Sequence, residues 1–95
     1  MLCADMLHVS WNRRHATALL EDISPSGACL QMELEVPVGV EIRWRSGKQE
    51  FTGKVVYCTY REIGYFVGVE FAPGQKWSQS EYEPEHLLDI NDLLR

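Results

Sequence analysis

Residues 22–27 read Asp-Ile-Ser-Pro-Ser-Gly and separate two short apolar segments that have strand character. The last four of these residues suit a type I turn, because serine favours its first position, proline its second and glycine its fourth. The side chains of Asp22 and Ser24 can in addition bond nearby backbone amides. The stretch therefore predicts a β-hairpin, and the turn by itself is a sufficient structural explanation for these residues.

Outward from this turn, the chain shows further short apolar segments separated by turn residues. The clearest is the alternation in which Val40, Ile42 and Trp44 face the core and the residues between them face solvent. Residues 46–49, Ser-Gly-Lys-Gln, predict a hairpin turn. The predicted strands cover 2–11, 16–23, 28–34, 38–45, 51–59 and 64–71. Short strands at this spacing predict an all-β fold, a small six-stranded antiparallel β-barrel.

A different pattern begins after Phe71, so we predict a barrel over 1–71 and an appended segment over 72–95. Residues 72–74, Ala-Pro-Gly, end the strand pattern, and 84–94 predicts an acidic amphipathic C-terminal α-helix. The helix either covers an open end of the barrel or docks on a protein partner or a second copy of the chain, which leaves a homodimer open. The residues predicted for such an interface are Trp77, Leu87, Ile90 and Leu94.

Composition narrows the class of protein. The chain has 95 residues, enough for one small core, and its net charge of −5 argues against binding to a DNA or RNA polymer. It contains neither an apolar run of membrane-spanning length nor a leader pattern, so we expect a cytoplasmic protein that does not insert into membranes. Its three cysteines form no C-x-x-C pair, and no known catalytic motif occurs. We therefore expect no metal site, no cofactor and no enzymatic activity.

Three ordered elements carry a family resemblance. They are Asp22-x-Ser24-x-x-Gly27 followed by Ala-Cys-Leu, then Gly53-Lys54-Val55-Val56, then Gly68-Val69-Glu70-Phe71. Together they resemble the PilZ family, small β-barrel domains that bind cyclic di-GMP, over residues 2–71. The resemblance implies that Asp22, Ser24 and Gly27 line the guanine side of a binding site. They would contribute a carboxylate, a hydroxyl and a closely approaching backbone.

PilZ domains that bind cyclic di-GMP carry an R-x-x-x-R motif before the first strand, and this sequence contains none. Arg14 cannot replace it, because eight residues of extended strand, about 26 Å, separate it from Asp22. A hairpin of the first two strands places Leu2 beside the turn, so we expect residues that precede the first strand to lie next to 22–27. Arg43 and Arg45, on one outward strand face, are additional candidate cations for the ligand.

Two functions remain open. The first is a signalling module of the PilZ type that binds cyclic di-GMP or derives from a domain that did. The second is an adaptor of PilZ type that binds proteins of motility or pilus machinery and no nucleotide. Four aromatic residues in or beside the last two predicted strands also have two interpretations, because they suit either base stacking or cross-strand packing. They are Tyr57, Tyr60, Tyr65 and Phe66.

Overall fold

The computed structural model describes residues 2–46 and 49–74. This part of the chain forms six strands: β1 (Leu2–Trp11), β2 (Arg14–Ser24), β3 (Gly27–Met32), β4 (Glu41–Ser46), β5 (Gln49–Arg61) and β6 (Gly64–Phe71). All neighbouring pairs are antiparallel, and the sheet closes in the order β1-β2-β3-β6-β5-β4. The predicted six-stranded antiparallel barrel is thereby confirmed.

The first hairpin is tighter than predicted. We expected a turn over 12–15, but Trp11 pairs with Arg14 and only two residues lie between them. Asn12 and Arg13 have φ values of 46° and 64°. Two successive positive φ values are typical of a type I′ turn, whose twist matches that of the strands it joins. β2 consequently begins at Arg14 instead of residue 16.

The fourth strand is shorter than predicted, and its alternation holds. It begins at Glu41, after Val38 and Gly39, which are both exposed. Ile42 and Trp44 are buried, and Val40 is half-buried against the core. Ser46 pairs with Gln49, which confirms the predicted hairpin between β4 and β5.

One apolar core fills the barrel. At one position three aromatic rings pack together: Phe51 lies 5.5 Å from Trp44 and 5.4 Å from Phe71, measured between ring centroids. Phe51 is fully buried between them. The core residues are Leu7, Val9, Trp11, Ala18, Leu20, Ile23, Leu30, Met32, Val36, Ile42, Trp44, Phe51, Val55, Val67, Val69 and Phe71.

Two β-bulges determine which side chains face outward at one end of the barrel. On β2, Leu20 pairs with Leu30 and Asp22 with Cys29, so the residue between them is extra and reverses the alternation. Regular alternation after buried Leu20 would turn Asp22 inward, whereas the bulge leaves it exposed. A second bulge, between Val55 and Tyr57 on β5, likewise turns Tyr57 outward.

The predictions for the C-terminal region concern residues outside the described part of the chain. These are the predicted helix over 84–94 and the interface residues Trp77, Leu87, Ile90 and Leu94. The last described strand ends at Phe71, where the barrel was predicted to end. Among residues 2–46 and 49–74, no helix is long and apolar enough to cross a membrane.

Candidate ligand-binding site

The predicted turn joins β2 to β3 and is held against a third strand. Ser24 pairs with Gly27, and neither of the two residues between them has a positive φ, as a type I turn requires. The Phe71 amide of β6 donates to the Ser26 carbonyl at 2.8 Å. The Ser24 hydroxyl donates to the Gly27 carbonyl at 3.3 Å and lies 3.4 Å from the Ser26 hydroxyl. The turn is therefore anchored to β6 through its backbone, and the Ser24 side chain bonds within the turn.

Gly27 has a role that its φ does not explain. Its φ is not positive, so the turn itself does not require glycine at this position. A Cβ at Gly27 would instead clash with the carbonyl oxygen of Val69 on β6. The missing side chain therefore allows β3 and β6 to approach closely at the turn.

A concavity of about 180 Å³ lies on the outer surface beside this turn. Asp22, Ser24 and Gly27, the residues that the resemblance assigns to a ligand site, line it together. The structure adds the side chains of Cys29 and Tyr57 to the same surface. None of the buried core residues lines it, so a ligand bound here would lie on the barrel surface and would not enter the core.

The added residues form one row across four strands. Asp22 on β2 opposes Cys29 on β3, Cys29 opposes Gly68 on β6, and Gly68 opposes Tyr57 on β5. The Tyr57 ring lies across Gly68, since a Cβ on that glycine would clash with three atoms of the ring. The Tyr57 hydroxyl donates to Cys29 Sγ at 3.5 Å. The ring therefore points along the row toward Asp22.

The closeness of these groups affects their pKa values. The hydrogen bond to Cys29 is the main cause that raises the pKa of Tyr57 to about 12, with burial and the Asp22 charge adding to it. Burial raises the pKa of the Cys29 thiol, and the charges of Glu21 and Asp22 raise it further. Both groups are therefore neutral near pH 7. The Arg61 guanidinium opposes the rise in both pKa values, so its charge also acts on this surface.

The other predicted cations lie elsewhere. Arg43 and Arg45 line a separate concavity of about 220 Å³ with side chains of β1, β2 and β5. Arg43 pairs with Ser10 of β1, and Ser10 pairs with His15 of β2. His15 precedes Asp22 on β2 by seven residues, which is about 23 Å along the strand. The structure thus brings Asp22, Ser24 and Gly27 together and leaves the two arginines apart from them. The expected proximity of the first strand is present, because Leu2 opposes Asp22.

Sequence reasoning did not assign Tyr57 or Arg61 to this surface. After Phe51, Gly53 and Val55, a period of two predicts an inward Tyr57, and the bulge that reverses it has no clear signal in the sequence. Arg61 was not considered, because β5 was expected to end at residue 59 and it extends to Arg61. Among the described side chains, no group of three or more His, Cys, Asp or Glu residues is arranged to hold a metal ion.

These features define a class of protein domain, a small closed antiparallel β-barrel with a polar turn on its outer surface. The turn contributes a carboxylate, a hydroxyl and the backbone of a glycine to that surface. The chain belongs to the PilZ domain family, whose profile matches residues 7–82. Comparison with curated proteins and with solved structures gives no match. A PilZ domain is a ligand-binding, non-catalytic module of the cyclic di-GMP-binding type.

Proposed function

We propose that this chain is a cytoplasmic, non-enzymatic signalling module that binds cyclic di-GMP at the surface formed by Asp22, Ser24 and Gly27. The observation that carries the proposal is the shared concavity of these three residues, in a chain that belongs to the PilZ family. The free thiols of Cys29 and Cys58 fit a reducing compartment.

The chemistry of the three residues suits the edge of a guanine. Guanine presents an N–H and an exocyclic amino group side by side, and an ionised carboxylate accepts two such donors at once. Asp22 is exposed and supplies this acceptor. The Ser24 hydroxyl, whose hydrogen bond to the Gly27 carbonyl is long at 3.3 Å, can turn to a ligand. Gly27 lines the same concavity beside Ser24, so a planar base bound there can approach its backbone.

The register of β1 supports a role for the start of this strand. Leu2 opposes Asp22, so the first residue of β1 lies beside the proposed site. A ligand held at Asp22 would contact this strand end as well as the turn. A change in the strand end on binding would alter the surface offered to a partner protein, which is a recognised form of switching.

The test is a calorimetric titration of the chain with cyclic di-GMP at low salt, with GMP as the competing mononucleotide. We expect saturable binding that is selective over GMP and is lost in Asp22→Ala and in Ser24→Ala. Glu35→Ala is the matched control, because it also removes one exposed carboxylate but from a different part of the surface. Binding that all three variants retain would exclude the turn as the site, and no binding by the unaltered chain would exclude the function.

A second function, a protein-binding adaptor, is supported by one exposed apolar surface. Met6, Leu34 and Ile63 line a concavity of about 600 Å³, and their side chains are 66%, 46% and 66% exposed. Apolar side chains gathered on one concave surface are typical of interaction sites. If this surface binds a protein, Ile63→Glu should abolish capture of that partner and leave nucleotide binding unchanged. Val38→Glu, an equally exposed apolar position outside this concavity, is the control.

A further inference from the structure

The Tyr57 ring has one face against the barrel and the other face toward solvent. Its inner face covers Gly68, where a Cβ would clash with ring atoms Cδ2, Cε2 and Cζ. The residue is nonetheless 46% exposed. Since the inner face is covered, the exposed part belongs to the outer face and edges of the ring. The hydrogen bond to Cys29 Sγ at 3.5 Å holds the ring in this orientation.

The open ring lies within reach of the Asp22 carboxylate. Directly opposed residues on neighbouring strands have Cβ atoms about 5 Å apart, and Cys29 directly opposes Asp22. The Tyr57 hydroxyl reaches Cys29, so the ring ends about one strand spacing from Asp22. A purine stacked on this ring can direct its hydrogen-bonding edge at the carboxylate.

A guanidinium lies on the same outer face, beside the ring. Arg61 Cζ lies 5.4 Å from the centroid of the Phe66 ring. Phe66 is two residues before Gly68 on β6, so its position is about 6.6 Å along the strand from the Tyr57 ring. A base and its own phosphate are separated by a similar length within one nucleotide. The charge of Arg61 acts on both Tyr57 and Cys29, which agrees with this placement.

From this geometry we infer that Tyr57 and Arg61 extend the Asp22 site into a nucleotide-binding surface, on which a guanine stacks on the Tyr57 ring and the Arg61 guanidinium contacts a phosphate. The inference rests on the proposed function and adds the two contacts that the turn lacks, a stacking plane and a cation. An aromatic ring stacks on any base, so the ring contributes affinity, whereas Asp22 provides selectivity for guanine. Arginine suits the remaining contact because its charge is permanent and its donors fork onto phosphate oxygens.

The test uses cyclic di-GMP as the probe and compares paired variants by calorimetry. We expect Tyr57→Ala to weaken binding about 5- to 150-fold, the range for loss of one stacked base, and Tyr57→Phe to keep most of it. Tyr60→Ala is the matched control, because Tyr60 lies on the same strand but is absent from the site. Arg61→Gln should weaken binding and flatten its salt dependence, while Arg43→Gln, with the same loss of charge, should change neither.

The outcomes separate this inference from the function on which it rests. Absence of binding by the unaltered chain overturns both. If Asp22→Ala abolishes binding and Tyr57→Ala leaves it unchanged, the stacking contact alone is overturned. If Arg61→Gln and Arg43→Gln have equal effects on binding, the phosphate contact is overturned. A thermal melt of each variant identifies loss of fold. If Tyr57→Ala does not fold, Tyr57→Leu, which keeps apolar cover over Gly68 but has no π face, replaces it and should weaken binding to the same extent.

Discussion

Gly68→Ala tests whether the Tyr57 ring lies across β6. The three heavy atoms nearest to a Cβ at Gly68 all belong to that ring, at distances that real atoms do not adopt. Because Tyr57 is 46% exposed, its ring can swing into solvent, and the backbone need not move. The expected cost of the methyl group is therefore the cost of displacing the ring.

That cost is estimated from what the ring loses. An aromatic side chain buries 150–250 Å² when fully covered, so a half-covered Tyr57 loses roughly 100 Å² of contact. At about 25 cal/mol per Å² this is at most about 2.5 kcal/mol, because the unfolded chain also buries some of this area. Loss of the hydrogen bond to Cys29 adds about 0.5 kcal/mol. Alanine in place of glycine returns about 0.4–1 kcal/mol through the unfolded state, so we expect a net destabilisation of about 1–2 kcal/mol.

The assay is a double-mutant cycle measured by urea unfolding, with the fluorescence of core residues Trp11 and Trp44 as the signal. In the Tyr57→Ala background the ring is absent, so Gly68→Ala should be stabilising by the same unfolded-state effect, about 0.4–1 kcal/mol. The coupling free energy between the two positions should therefore be about 1.5–3 kcal/mol. If Gly68→Ala destabilises both backgrounds equally, the ring does not lie across Gly68, and the stacking surface inferred for Tyr57 loses its basis.

Gly27→Ala should destabilise the chain by about 1–3 kcal/mol in both the native and the Tyr57→Ala backgrounds, because the added methyl group would clash with the backbone of β6, which cannot rotate away. Urea unfolding measures this change, and a neutral effect would contradict the close approach of β6. Phe51→Ala should cost about 3–5 kcal/mol in the same assay, since the ring is fully buried between two others, whereas exposed Val56→Ala should cost under about 0.5 kcal/mol. Cys29→Ala should lower the pKa of Tyr57 from about 12 toward its ordinary value of 10.0, because the hydrogen bond to Cys29 is the main cause of the rise. Because the folded-state pKa is raised, the stability that neutral Tyr57 contributes is complete below pH 10 and is lost as the pH rises through about 12. The pKa is measured by an NMR titration of the Tyr57 ring. If Cys29→Ala leaves that pKa unchanged, the hydrogen bond between the two side chains is contradicted.

Local chemistry was sufficient to predict the turn and most of the strands. The bounds predicted for the last strand, Gly64–Phe71, agree with the structure. Its apolar residues are nearly continuous, and a glycine at its start and a proline after its end mark where it begins and ends. The turn at Ser24 and Gly27 was predicted because each residue type has a conformational reason to be there. The first hairpin was predicted too wide, since Asn12 and Arg13 adopt positive φ values for which arginine gives no signal.

The candidate site was predicted only in part, and its two halves differ in how they arise. Asp22, Ser24 and Gly27 are near neighbours in the chain, so a sequence motif suffices to group them. Tyr57 joins them through the pairing of β3, β6 and β5, which spans residues far apart in sequence. The pairing of β4 with β1, and of β1 with β2, separates Arg43 from the site, although its residue type made it a reasonable candidate.

The sequence by itself determined the all-β class, the hairpin turn and its three polar or glycine positions, because turn chemistry and period-two alternation are local properties of a chain. Only the tertiary structure decided which side chains share the outer surface with that turn. The closed barrel contains a bulge before Asp22 and another before Tyr57, and each reverses the alternation at the residue that follows it. A one-residue reversal moves a side chain from the core to the surface. The site therefore depends on a register that pairing between distant strands sets.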